Sequence, residues 1–202
     1  MRKLFAILAL GCSLCMVACS SGGGKTVTRI DTNSTTDLSG KWNDTDSRLV
    51  ADEMILSCLQ SQKIEKIIGE MGRTPTVVIG KVRNKSHEHI SVETFVKDME
   101  RALLNSGAAD FVANSAERAE LRSEVADQQG NATEETAKEL HQETGADWML
   151  TGTINTIVDQ EGGQSVIFYQ VDLELTDLQS HKKLWMGDKK IKKFISKDSV
   201  KL

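Results

Sequence analysis

Cysteine is scarce in most of this sequence. Four cysteines are present, and Cys12, Cys15 and Cys19 lie near the N-terminus. Cys58 is the only thiol beyond them, so no disulfide can form within the part of the sequence that follows Cys19. Stability must therefore come from an ordinary hydrophobic core. Because Cys58 lies among apolar residues at helical spacing, we expect a buried apolar side chain there rather than a nucleophile.

An excess of basic charge is also missing. The sequence has 25 Lys and Arg residues against 29 Asp and Glu residues, a formal net charge of −4. Removal of Arg2 and Lys3 with an N-terminal signal leaves 23 against 29, or −6. Nucleic-acid-binding domains present a basic face. The composition therefore predicts no nucleic-acid partner.

Three familiar catalytic motifs are absent: the GxxxxGK[ST] phosphate loop, HExxH and GxSxG. Acidic residues are plentiful, but most alternate with basic ones at helix-surface spacing, as in ERAELRSE. That pattern is typical of a solvated helix face. We therefore expect no catalytic residue, no cofactor and no small-molecule substrate.

The histidines offer a weak metal-binding pattern. His87 and His89 flank Glu88 and would share one face of a strand, so a two-histidine metal site is conceivable. No third ligand follows nearby, and NKSHEHIS reads as a polar turn, which favours a solvated loop and no metal. His141 and His181 also lie in polar segments and are expected at the surface.

The long apolar run of the chain spans residues 4–17, behind Arg2 and Lys3 and before Ala18 and Cys19. A lipoprotein signal has three parts: cations that stay in the cytoplasm, an apolar stretch, and a small residue before the cysteine. We predict lipidation of the Cys19 thiol. Met16 stands where the usual lipoprotein motif has leucine.

Other interpretations of this segment fit less well. Cys15 has a poorer preceding sequence, and Cys12 would leave too short an apolar region. A membrane anchor helix needs about 20 apolar residues, and this run is shorter; secretion without lipid is a further alternative. Ser20, rather than aspartate, follows Cys19, and by the rule of enteric bacteria this predicts delivery to the outer membrane.

We predict three regions: a signal peptide (1–18), the lipidated cysteine with a flexible tether (19–36), and one folded domain (37–202). The tether is rich in Gly, Ser and Thr and has no apolar period. With an end-to-end distance of about 5–6 Å times the square root of its length, it spans roughly 25 Å. The remainder is long enough for one sizeable core.

Helical and extended patterns alternate through the first part of the domain. Asp44, Thr45 and Asp46 are candidate N-caps of the first helix. Strands are expected over 75–84 and 109–114, and helices over 115–129 and 131–145, the last with Asn131 and Glu134 as a capping box. The apolar faces of the first helix and of the helix ending at Gly107 comprise Ala51, Met54, Ile55, Cys58, Leu59, Phe95, Met99, Ala102 and Leu103, with Ser106 also at this spacing.

Three β-segments end the domain, at 147–159, 165–177 and 183–195. In the second, Ile167, Tyr169, Val171, Leu173 and Leu175 alternate with polar residues, which predicts a half-buried strand. The fold class expected is α/β: a single domain with a mixed β-sheet, helices packed on it and a C-terminal antiparallel meander.

A basic run, Lys189, Lys190, Lys192 and Lys193, lies in the last β-segment. It could meet an anionic partner, such as lipid headgroups or an acidic domain. It could equally be a charged strand that blocks pairing at the sheet edge. The sequence leaves both interpretations open.

Long, ordered motifs give the chain a family resemblance over residues 38–195. The motifs are SGKWNDTDSRLVADEMI, VVIGKVRNKSHEHI, DMERALLNSG, DFVA, ERAELRSEVADQQ, GADWMLTGTINTIVDQEGG, FYQVDLELTDL and KLWMGDKKIKK. Together they resemble the penicillin-binding protein activator LpoB family. The resemblance implies a lipoprotein that docks on a bifunctional peptidoglycan synthase, a class A penicillin-binding protein, and stimulates its glycosyltransferase and transpeptidase activities. It also implies an α/β domain similar to the N-terminal domain of TolB.

The tether departs from the enteric member of that family, whose tether is long, rich in proline and reaches from the outer membrane toward a synthase in the inner membrane; here it is short and has no proline. Either the partner reaches further, or the anchor membrane differs, or the partner is another protein. Two other functions were weighed. One is an envelope-assembly or secretion lipoprotein resembling curli-secretion components, but Asp172 and Glu174 interrupt the only candidate membrane hairpin. The other is a periplasmic enzyme, for which the sequence offers no nucleophile paired with a base.

Overall fold

The computed structural model of this chain describes residues 25–133, 135–138 and 143–196. The fold below is that of the unit that begins at Thr35. Within the described part, the helices are α1 (Asp44–Leu59), α2 (Gln62–Met71), α3 (Val92–Ser106) and α4 (Ser115–Asn131). The strands are β1 (Thr76–Asn84), β2 (Asp110–Phe111), β3 (Trp148–Glu161), β4 (Gln164–Asp177) and β5 (Lys183–Ser196).

The strands form one sheet in the order β2-β1-β3-β4-β5. β1 runs parallel to both β2 and β3, whereas β3, β4 and β5 form an antiparallel meander. Helix α3 lies between β1 and β2 in sequence, as a parallel connection requires. The predicted α/β fold class, a mixed sheet with helices and a C-terminal meander, is confirmed.

Helix α1 begins with a capping box one residue before the predicted caps. Asn43 accepts a hydrogen bond from the amide of Asp46 (3.1 Å), and Asp46 accepts one from the amide of Asn43 (3.0 Å). These bonds satisfy donors that the first turn leaves free. Helix α3 ends, as predicted, at Gly107, whose φ of 66° is left-handed and favours glycine.

The helix predictions were wrong at two places. We assigned no element to residues 62–71, which form α2, although Ile64, Ile67, Ile68 and Met71 recur at helical spacing. The helix expected over 131–145 does not begin at Asn131, since that residue ends α4 and turns follow it. Glu134 and residues 139–142, also assigned to that helix, lie outside the described residues.

The core lies between one face of the sheet and helices α1 and α3. The predicted period of two in β4 is confirmed, because Ile167, Tyr169, Val171, Leu173 and Leu175 are all buried. Across from Leu173, a Cβ on Gly152 would overlap Leu173 Cδ2 and lie 2.6 Å from the backbone oxygen of Asp172. The strands therefore approach closely only because residue 152 is glycine.

Within residues 25–133, 135–138 and 143–196, no helix combines the length and apolar character needed to cross a membrane.

Candidate interaction surface

Lys193 holds the start of the domain against the end of the sheet. Its Nζ lies 2.7 Å from Asp37 Oδ1 and 2.6 Å from Asp46 Oδ2, and it donates to the backbone oxygen of Lys41 at 3.1 Å. Burial opposes the charge of the ammonium group, but the hydrogen bonds to Asp37 and Asp46 outweigh it and leave the pKa of Lys193 raised. Asp46 is itself buried, so the pair is shielded from water.

Glu88 makes a second attachment at the same place. Its two carboxylate oxygens accept hydrogen bonds from the Trp42 amide (3.0 Å) and the Tyr169 hydroxyl (2.7 Å). The Trp42 ring packs edge-on against Phe95 and Tyr169, with centroids 6.3 and 5.5 Å away. Burial and the Glu88 carboxylate raise the pKa of Tyr169. Residues 37–43, here called the entry segment, are thus tied to the domain.

The basic run of β5 is largely paired within the domain. Besides Lys193, Lys189 pairs with Glu53 on α1, and Lys190 Nζ lies 2.9 Å from Asp188. Lys192 has no ion pair among the described residues. Since β5 is also an edge of the sheet, this arrangement favours the interpretation of a charged edge strand over a broad anion-binding surface.

The histidines are not brought together as ligands. His87 Nδ1 lies 3.2 Å from Thr156 Oγ1, and His89 and His181 are exposed. Over the described ranges, no group of three His, Cys, Asp or Glu side chains could hold a metal ion. His141 lies outside those ranges.

Cys58 is buried, as predicted, and burial raises the pKa of its thiol to about 12. A thiol so reluctant to ionise is a poor nucleophile. One SxxK spacing, missed in the sequence, occurs at Ser180 and Lys183. Ser180 Oγ donates to Asp177 (2.6 Å), whereas Lys183 pairs with Glu174 (2.8 Å). Bound to different carboxylates, they do not form a nucleophile–base pair.

The outer face of the meander, opposite the core, is polar in its middle. Asp172 accepts hydrogen bonds from Asn155 (3.2 Å) and from Gln170 (2.7 Å). With the Lys183–Glu174 pair, these contacts satisfy the polar groups of this region internally. The middle of the face is therefore a poor candidate for tight docking.

An apolar cluster covers the outer face near the β3–β4 turn. We call Ile157, Val166, Phe168 and Phe194 the hairpin-end patch. Ile157 pairs with Phe168, and Val166 pairs with Phe194, on neighbouring strands. Ile157 is 67% exposed and Phe194 is 64% exposed. Large apolar side chains clustered in this way at a surface are typical of an interaction site.

Cys19 and the N-terminal part of the predicted tether lie outside the described residues, so lipidation stays a prediction. The likeness to TolB likewise remains an implication of the resemblance.

Comparison with solved structures finds similar chains at low identity. The LpoB C-terminal domain from Salmonella enterica is 14% identical over 72% of this chain and 98% of that chain, with a TM-score of 0.43. That from Escherichia coli is 16% identical, with 75% and 99% covered and a TM-score of 0.39. Lipoprotein GNA1162 from Neisseria meningitidis is 18% identical, with 62% and 88% covered and a TM-score of 0.39. No curated protein sequence matches.

A family model provides the assignment that these distant structures do not. The model described as peptidoglycan-synthase activator LpoB matches residues 46–191. The match runs from the first turn of α1 into β5. This chain therefore belongs to the LpoB family, which activates peptidoglycan synthases and is not itself enzymatic.

Proposed function

We propose that this chain is a lipid-anchored envelope protein that binds a class A penicillin-binding protein and stimulates both its glycosyltransferase and its transpeptidase activity. The family match over residues 46–191 carries the proposal. The lipid anchor is supported by Cys19 behind a signal with Arg2, Lys3 and Ala18. Ser20 supports delivery to the outer membrane, with the domain facing the periplasm.

Activation by such a domain is a matter of differential binding. A partner that binds the active conformation of an enzyme more tightly than the inactive one shifts the population toward the active form. The size of the effect is limited by that difference in affinity. The domain therefore needs a docking surface and no reacting group of its own.

The tether supplies local concentration. Residues 20–36 keep the domain roughly 20–25 Å from its anchor on average. Confinement near the anchoring membrane raises the effective concentration toward a synthase that reaches within this distance, without any additional contact.

The test is a rate measurement with purified components. The lipidated full chain is mixed in detergent with each class A penicillin-binding protein of the same organism, and lipid II consumption and peptide cross-linking are followed. We expect both rates to rise with at least one synthase. The chain alone should neither consume lipid II nor cross-link peptides. Unchanged rates with every synthase, at micromolar concentrations of the chain, would refute the proposal.

The anchor is tested separately by Cys19→Ala. This variant should lose labelling with radioactive palmitate and should accumulate as an unlipidated precursor. A variant that still incorporates palmitate would disprove Cys19 as the lipidated residue while leaving the activation assay unaffected.

A further inference from the structure

We propose that the hairpin-end patch is the surface that docks on the synthase, and that the synthase presents apolar side chains flanked by one carboxylate and one cation. The inference rests on the proposed function and adds the surface and the chemistry of its partner.

The centre of the patch has the composition of an interface core. Phe194 and Ile157 are exposed on the outer face, and Phe168 and Val166 connect them across β4. Aromatic side chains near the centre of an interface contribute most of the binding energy in typical complexes. Phe194 is therefore the expected anchor.

Two charges of opposite sign stand at the edge of the patch. Lys192 pairs in register with Phe168, and Asp159 pairs with Val166. Neither makes an ion pair with another described residue, in contrast to Lys189, Lys190 and Lys193 of the same strand. A partner that offers a carboxylate to Lys192 and a cation to Asp159 would complete both pairs. An apolar centre with a charged rim is the usual layout of a reversible protein interface.

The same charges argue against a bilayer as the occupant. Asp159 would have to leave water for an apolar or anionic lipid surface, which is costly for a carboxylate. The net charge of −6 beyond the signal opposes anionic headgroups as well.

The size of the patch argues against a permanent dimer. A stable interface buries about 800 Å² on each partner, whereas the patch comprises four side chains, two of them partly buried. A small surface suits a partner held nearby by membrane attachment.

The position of the patch limits where the partner can be. Lys193, the neighbour of Phe194, holds Asp37, where the predicted tether ends. Because the tether reaches roughly 20–25 Å on average, the docking element of the synthase must lie close to the anchoring membrane.

The test compares matched variants of the lipidated full chain for affinity to the synthase that it activates. We expect Phe194→Ala to weaken binding about tenfold or more and Lys192→Glu about threefold or more. Leu121→Ala, at an exposed apolar residue of α4, and Lys66→Glu, on α2, are the controls and should change binding less than about twofold. Thermal melting checks that each variant is folded.

Separate outcomes distinguish the two proposals. If the unaltered chain binds no class A synthase, the proposed function fails. If it binds one and Phe194→Ala binds equally well, the docking surface is wrong. Two further arms use the chain from Ser20, which lacks the lipidated Cys19: sedimentation with phosphatidylethanolamine and phosphatidylglycerol vesicles, and sedimentation velocity of the chain alone. Loss of vesicle binding or of self-association on Phe194→Ala, with synthase binding intact, would assign the patch to lipid or to a second copy instead.

Discussion

Lys193 shows how much the environment of one side chain depends on strand parity. From Trp185 onward in β5, the odd-numbered residues are partly buried on the side of the helices and the even-numbered ones are exposed. Lys193 therefore lies beneath the sheet beside Asp46, while Lys192 points away from it. Two adjacent lysines consequently have opposite roles: one holds the entry segment, and the other remains available to a partner.

At the residue scale, the strongest prediction concerns Leu173. Its side chain is fully buried, so Leu173→Ala should lower the free energy of unfolding by roughly 2–5 kcal/mol, through lost transfer energy and the cavity left behind. Urea denaturation measures the change. Glu174→Gln is the matched control: it removes only a surface ion pair with Lys183, worth about 0–1 kcal/mol. Equal losses in the two variants would mean that the strand phase is reversed.

At the element scale, Asp147 joins three pieces of the fold. Its carboxylate accepts two hydrogen bonds from Arg73, after α2, at 2.8 and 2.6 Å, and one from the amide of Thr76 in β1 at 2.8 Å. Asp147 directly precedes β3. The pKa of Asp147 is below its usual value, and the hydrogen bonds from Arg73 are the largest cause.

This arrangement predicts an acid dependence of stability. Because the folded pKa of Asp147 is lowered, its stabilisation is complete above the unfolded pKa of about 3.9 and is lost as the pH falls toward the folded pKa. Asp147→Asn should remove this part of the dependence, so that stability falls less between pH 7 and pH 3 in urea titrations. Glu70→Gln, in a pair exposed on α2, serves as control. An unchanged acid slope in Asp147→Asn would contradict the assignment.

The helices also show which local sequence signals were sufficient to predict where a helix begins or ends. Gly107 caps the end of α3, as predicted, and Asn114 with Glu117 caps the start of α4 through short-range contacts. The helix predicted over 115–129 is close to the observed α4. Helix α2 follows α1 after only Gln60 and Ser61. Local signals for α2 are nevertheless present, because its apolar residues recur at helical spacing and Gly72, with a left-handed φ of 63°, ends it.

At the scale of the whole molecule, the entry segment defines where the predicted tether ends. Asp37, Lys41 and Trp42 are fixed by Lys193 and Glu88. The predicted tether is therefore no longer than the sequence between Cys19 and residue 37. Short tethers give high local concentration over a narrow range of distances.

Duplication of residues 20–36 should consequently weaken activation when chain and synthase share one vesicle membrane. Effective concentration falls as roughly the −3/2 power of tether length, so a doubled tether should raise the surface density needed for half-maximal activation about threefold. Lipid II consumption in reconstituted vesicles measures the shift. A tether of scrambled sequence and equal length is the control and should not change it. An unaltered midpoint with the doubled tether would show that the tether does not set local concentration.

The sequence by itself determined the features that short-range patterns encode: the alternation of Ile167 to Leu175, the burial of Cys58, and the end of α3 at Gly107. These depend on side-chain periodicity and on backbone preferences, which act over a few residues. Its ordered motifs also indicated the LpoB family, which the match over residues 46–191 shows.

Only the tertiary structure decided the features that join distant residues. Strand order and register place Phe194 beside Val166, bring Asp37 and Asp46 to Lys193, and connect Glu88 to Tyr169. The sequence around a charged or apolar residue is the same whether or not a distant segment of the fold supplies a partner for its side chain. The hairpin-end patch and the attachment of the entry segment could therefore be recognised only once the sheet had aligned its strands.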